Sequence, residues 1–177
     1  MKVWGIHMGE KVGTLPIENN YVAIGWHELG DLKPIARSRE TLKQALISTY
    51  PDIKPGAIGG NAGVLYRFVN TVQQGDIVVY PSKSDRMINI GRVMGEYTFI
   101  GEDQHEYPNQ RRIQWLGSFP RNEFSQAALN EVGAFITLFA IRRHDEEFLQ
   151  KVNIGRSDVD RNIRDLCDGL EESDDDT

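Results

Sequence analysis

Tyr80, Ser82, Lys83 and Arg86 place a phenol ring, a hydroxyl and two cations beside the end of an apolar run, Ile77 to Tyr80. A ring stacks, a hydroxyl donates or accepts, and cations attract anions, so this set binds; it is not acid–base chemistry. Trp26 is a second candidate, a large ring at the end of YVAIGW and just ahead of the turn-rich HELGDLKP. It reads either as a core-edge tryptophan or as a stacking surface for a planar ligand. Gly59-Gly60-Asn61 precedes a helical pattern. It reads either as an N-cap with flexible glycines or as a helix start whose free N–H groups hold an anion or a polar ligand edge.

Other chemistries lack their signatures. His7, His27, His105 and His144 are dispersed, with no HExxH spacing, and the single Cys167 rules out a zinc site built from several cysteines as well as an internal disulfide. No metal and no cofactor is therefore expected. GxSxG, P-loop and GxGxxG motifs are missing. Asp52-Ile53-Lys54 and Asp31-Leu32-Lys33 superficially match nuclease tripeptides, but both lie in Pro- or Gly-flanked loops where such matches arise by chance.

The candidates must be positioned by a mixed set of elements. Lys2 to Met8 and Tyr21 to Trp26 read as strands, the first with Trp4 and Ile6 on one face. Between them, Gly9 to Asn20 reads as a loop with a short helical turn. Ser38 is a plausible N-cap for a helix that Pro51 stops near Tyr50. The Gly- and Pro-rich PDIKPGAIGGNAG reads as a loop, followed by an amphipathic helix over Val64 to Val72, with Leu65, Phe68, Val69 and Val72 on one stripe and Asn61 at or just before its start. Gly75 to Glu96 is a β-hairpin, its turn built from Ser82, Lys83, Ser84 and Asp85, and the sheet continues to Ile100. GEDQHEYPN is a loop. Gln110 to Leu116 is a further strand with Arg111, Ile113 and Trp115 on one face, closed by Phe119-Pro120. Short helical turns follow around Ser125. Phe135 to Ile141 is a buried strand or buried helical segment, which periodicity does not decide. Helices are expected over Arg143 to Val152 and from Ser157 onward, the second with Val159, Ile163, Leu166 and Leu170 on one stripe.

With 177 residues the chain allows one body plus a tail. The formal charge of −6 is unevenly placed. Asp145 to Thr177 carries 12 acidic against 4 basic residues, leaving 14 acidic and 16 basic in residues 1 to 144, so the body is near neutral. No apolar run approaches the ~18 residues of a membrane span, which with the lone cysteine points to a cytoplasmic protein with no membrane partner. The division expected is a domain over 1–143, a helical extension over 144–170 and an acidic disordered tail or linker over 171–177. The fold class expected is α+β, mixed strands curling into a barrel-like sheet with helices around it and a C-terminal helix outside.

The segments YVAIGWHELGDL, GGNAGVLYRFV, GDIVVYPSKSDRMINIGRVMGEY and YPNQRRIQWLG, in that order, resemble a domain at the N-terminus of some Mrr-type restriction endonucleases. That domain is similar to the PUA-like superfamily, which includes the EVE, ASCH and YTH modules. The resemblance covers roughly residues 2 to 142. It implies a small PUA-like pseudo-barrel that reads a modified or flipped base, such as a modified cytosine in DNA, with RNA the alternative polymer. Such a reader is tethered to a fused or partner nuclease domain of a restriction or anti-phage defence system. On that footing Trp26, Tyr80 and Trp115 are the candidate rings of the base pocket, Asn61, Ser82 and Ser125 its hydrogen-bonding groups, and Lys83, Arg86 and Arg111 the phosphate contacts. This chain shows no nuclease cluster of its own, so it is expected to be non-catalytic. The alternative is a regulatory domain sensing a free nucleotide or base with the same pocket.

Overall fold

The computed structural model describes residues 1–101 and 107–155. The helix expected from Ser157, Cys167, His105 and the acidic tail lie outside the described residues.

The hairpin forms as the alternation demands. Strand β3, Ile77–Pro81, pairs antiparallel with β4, Met87–Phe99, from Ile77 opposite Arg92 to Pro81 opposite Ile88. Strand β5, Asn109–Pro120, runs antiparallel along β4, and β2, Tyr21–Ile24, pairs with the start of β5. On the other side β1, Val3–Ile6, lies parallel to β3, and β6, Leu138–Ala140, pairs antiparallel with β1. The order is β2-β5-β4-β3-β1-β6, a six-stranded sheet curled into a half-barrel in an α+β domain. Register shifts at Ile90/Gly91 and Val93/Tyr97 mark bulges, which bend and twist β4. A Cβ on Gly91 would stand 2.4 Å from Ile113 Cγ2 and 2.8 Å from Trp115 Cε3, so the close crossing of β4 and β5 there requires glycine.

Helices cover both faces, and the continuous apolar run of β3 follows from that. Val78 and Tyr80 point into a core with Trp4, Ile6, Leu42, Leu46, Leu65 and Phe68; Ile77 and Val79 point the other way, with Val3, Ile88, Ile90, Phe124, Val132 and Phe148. The first core is covered by α1, Leu15–Glu18, α2, Arg39–Thr49, and α3, Pro55–Tyr66; the second by α4, Gln126–Val132, and α5, Asp145–Lys151. Ser38 caps α2, its hydroxyl accepting from Thr41 N–H at 3.1 Å.

Two expectations need correction. The helix placed at Val64 to Val72 begins nine residues earlier, at Pro55, and ends in a π-helical turn over Arg67–Thr71. Proline at the first helical position is pre-set for that start, and tertiary packing of Ala62, Val64 and Leu65 overrides the glycines. Asn61 therefore sits inside a helix, and Gly59-Gly60-Asn61 presents no helix start to an anion. Within Phe135 to Ile141, expected as a buried strand or buried helical segment, only Leu138–Ala140 is strand, while Phe135 and Ile136 are exposed.

The α4–α5 connection is pinned by one carboxylate. Glu131 accepts from Arg142 and Arg143 N–H, each at 3.1 Å, and from His144 N–H at 2.8 Å, with His144 Nδ1 at 3.1 Å. Burial alone would raise its pKa, but these donors outweigh it and the net displacement is downward. A depressed carboxyl pKa gives stability that is present above the unfolded value of about 4.3 and is lost as pH falls through the folded one. Glu131→Gln is expected to cost about 1–3 kcal/mol at pH 7 and to flatten the acid limb of a stability–pH curve. An unchanged acid limb in urea unfolding at several pH values would remove Glu131 from that role.

Candidate functional site

Strand β2 ends at Ile24, and two residues later Trp26 adopts φ 62°, ψ 43°. This left-handed conformation costs a residue with a Cβ about 1–2 kcal/mol, and a bulky ring there is unusual. It swings the chain out of the sheet into a 3-10 turn, His27–Leu29, with Leu29 N–H on the Trp26 carbonyl at 3.0 Å. The Tyr97 hydroxyl accepts from Leu32 N–H at 2.9 Å and Asn109 Nδ2 donates to the Gly30 carbonyl at 3.2 Å, so β4 and β5 fix the loop that follows.

The half-buried Trp26 ring lines a slot of about 380 Å³ together with Thr49, Tyr50, Pro51, Asp52, Ile53 and Asn61. Thr49 to Ile53 form the α2–α3 connection, and Asn61 comes from the second turn of α3. The Tyr50 hydroxyl donates a short hydrogen bond to Glu28 Oε2, which ties the second ring to the turn that carries Trp26. Burial, and then the Glu28 carboxylate, push the Tyr50 pKa upward, and the same bond pulls that of Glu28 down. Tyr50 therefore stays a neutral phenol, fixed as a wall. Among the described residues neither the Asn61 amide nor the Trp26 indole N–H has a hydrogen-bond partner. An apolar-walled slot with a free donor–acceptor amide and a free N–H can hold a flat heterocycle and read its edge.

Of the six residues assigned to the base pocket, the structure brings together Trp26 and Asn61. Tyr80 is 2% exposed, its ring 6.3 Å from that of Trp115; Tyr80 Oη donates to the Gly13 carbonyl at 3.4 Å and Trp115 Nε1 to that of Pro16 at 2.9 Å. The Tyr80 ring is core and the half-buried Trp115 ring packs against that core, both pinned beneath the Gly9–Asn20 segment. Burial pushes the Tyr80 hydroxyl up to about 12. Ser82 is buried in the hairpin, where it donates to Asp85 and accepts from Asn89 Nδ2 at 2.9 Å. Ser125 caps α4, accepting from Ala128 N–H at 3.1 Å and donating to Glu147 Oε2 at 2.7 Å.

The cations separate as well. Ile24 pairs with Asn109, which pairs with Phe99, whereas Pro81 pairs with Ile88, which pairs with Phe119. Trp26 therefore stands beyond one end of the sheet, and Lys83 and Arg86 beyond the other, separated by nearly the full length of β5. They do not flank the slot. Arg111 is 3% exposed and donates to the Phe68 carbonyl at 3.0 Å; burial lowers its pKa against the pull of Asp76 and Glu96. Tyr50 and Glu28 escaped sequence reading, and Asp52 was weighed there only as part of a nuclease-like tripeptide. The one available signal was Tyr50-Pro51 at a helix stop, which places a ring where the chain must turn.

Among the described residues no group of three or more His, Cys, Asp or Glu is arranged to hold a metal ion, and no helix is long and apolar enough to cross a membrane. Fold and site together define an α+β half-barrel domain with an aromatic-walled slot at one end of its sheet. The chain belongs to the family described as Domain of unknown function (DUF8426), whose sequence model matches residues 4–142. That span contains every slot residue and the whole hairpin. No curated protein matches the chain.

Proposed function

We propose that this chain is a non-catalytic, PUA-like nucleic-acid reader that holds one base, a modified cytosine in DNA before any other, between Trp26, Tyr50 and Asn61. It serves as the sensing half of a cytoplasmic restriction or defence system whose cleavage comes from a separate nuclease domain. The observation that carries this reading is Trp26: a bulky ring kept in a left-handed conformation beside a slot, where strain of this kind tends to accompany function. Extruding a base from a duplex costs a few kcal/mol, and stacking returns about 1–3 kcal/mol per base, so two rings and an amide are on the right scale.

A second reading has its own support. Asp52 lines the slot, Glu28 stands behind Tyr50, and Lys83 and Arg86 are at the far end of the sheet. Such a slot suits a free base or nucleoside, sensed by a regulatory domain without any polymer.

Titration against duplexes with and without 5-methylcytosine or 5-hydroxymethylcytosine, and against single strands, at stated salt, separates the two. A modified duplex is expected to bind at least tenfold tighter than its unmodified match, and Asn61→Ala to lose roughly tenfold of that affinity. A thermal shift with free nucleosides and none with DNA favours the second reading. If no nucleic acid binds better than about 0.1 mM, the range of non-specific contact, the first fails.

A further inference from the structure

The far end of the sheet gathers cations from two distant stretches. Lys83 and Arg86 come from the β3–β4 hairpin, and the pairing of Met87 with Pro120 brings Arg121, the first residue after β5, beside them. The three line a cavity of about 340 Å³ whose other walls include His7, Glu10 and Ser82. Lys83 and Arg86 are exposed and Arg121 is half-buried, and none of the three has a hydrogen-bond or ion-pair partner among the described residues. Among the described residues two carboxylates stand nearby. Asp85 is turned into the hairpin, accepting from the Ser82 hydroxyl and from Met87 N–H at 3.1 Å, which leaves Glu10 facing three unpaired cations.

Two further features mark the cavity as built. His7 Nε2 is buried and, among the described residues, without a hydrogen-bond partner. Burial lowers the His7 pKa and Lys83 pushes it the same way, outweighing the upward pull of the Val132 and Ala134 backbone, so the imidazole is neutral at pH 7 and its charge does not add to the three. Arg86 has φ 59°, a left-handed backbone that costs a non-glycine residue about 1–2 kcal/mol. The hairpin thus holds an arginine where glycine would be easier.

We infer that this cavity is a second binding site, separate from the Trp26 slot, in which Lys83, Arg86 and Arg121 hold a phosphate group. Guanidinium groups meet phosphate oxygens in charge-assisted pairs, and a concave cluster of like charges raises the local concentration of anions. The phosphate is either part of a nucleic-acid backbone or carried by a free nucleotide. The inference goes beyond the base-reading proposal and stands without it, because a phosphate with no base attached suffices to test it.

Calorimetric titration with pyrophosphate, of the parent protein and of K83A/R86A and R121A, is the first arm. The second measures the salt dependence of binding to a short unmodified duplex. Pyrophosphate is expected to bind the parent at millimolar concentration or better, and each variant to lose at least tenfold. Exposed and half-buried side chains are replaced, and unfolding curves confirm that the variants fold. If the phosphate belongs to a backbone, the slope of log K against log salt falls by about 2 in the double variant, near 0.9 per lost phosphate contact. A slope unchanged while pyrophosphate binding is lost assigns the site to free nucleotides. Pyrophosphate binding that is absent in the parent, or equal in all three folded proteins, overturns the inference. Pyrophosphate has no ring to stack, so neither result bears on the Trp26 slot.

Discussion

Trp26→Gly is expected to fold, to melt within a few degrees of the parent, and to lose roughly 5- to 150-fold in affinity for the base proposed to stack on it. The affinity loss is the stacking contribution of one ring, about 1–3 kcal/mol. The small stability change comes from two opposing terms. Glycine adopts φ 62° freely, which releases the ~1–2 kcal/mol that a Cβ costs there, while removal of a half-buried ring forfeits about half of the ~1.5–3 kcal/mol of a fully buried one. Trp26→Ala loses the ring and keeps the strain, so it is expected to be about 1 kcal/mol less stable than Trp26→Gly, with the same binding defect. Thermal unfolding of the three proteins beside a base titration checks both halves. A glycine variant that is unfolded, or less stable than the alanine one, would identify Trp26 as core and its backbone as unstrained.

Asp76→Ala is expected to have the largest effect on stability, a loss of about 3–5 kcal/mol, because it removes the carboxylate that accepts from three separate donors. Asp76 is 6% exposed; Oδ1 accepts from Lys2 N–H at 3.0 Å, and Oδ2 from Trp4 Nε1 at 3.0 Å and Gln73 N–H at 2.9 Å. One carboxylate thus joins the start of β1, the indole at the centre of the first core and the turn that enters β3. Its charge also favours the buried Arg111 guanidinium, so the alanine variant weakens a second group. Asp76→Asn retains the shape but turns one oxygen into a donor, and an intermediate loss is expected. Urea unfolding of both variants reads this directly; a loss under about 1 kcal/mol for the alanine variant would mean that the donors find other partners and that this junction is not a keystone.

How far the sequence revealed the fold depended on whether the controlling interaction was local. The hairpin was legible because Gly75-Asp76, the β-branched run and Ser82 to Asp85 act within a few residues of one another, and the Ser38 cap reports itself three residues on. The start of α3 was not, because the glycines from Gly56 to Gly60 argue locally for a loop and only packing of Leu65, Val64 and Ala62 against the sheet overrides them. Phe135 and Ile136 misled in the opposite sense: two large apolar residues adjoining a strand are exposed here, since β6 is only three residues long.

The site divided on the same line. Trp26 was recognisable as a ring stranded at a strand end, and Asn61 as a polar residue among glycines, yet their meeting with Tyr50 depends on how α2 and α3 fold back beneath the loop. Tyr80, Ser82, Lys83 and Arg86 looked like one constellation because they are neighbours in the chain. Period-two alternation and the turn send Tyr80 and Ser82 into the interior and leave Lys83 and Arg86 outside. Arg121 joins them through a cross-strand register that no single-sequence pattern encodes.

The parallel pairing of β1 with β3 has a consequence for synthesis. Both neighbours of the first strand, Ile77–Pro81 and Leu138–Ala140, are translated long after it, whereas β3, β4 and β5 are consecutive and pair with one another as they emerge. Val3, Trp4 and Ile6 therefore wait through the making of some seventy residues before a strand partner exists, and β1 enters the sheet late.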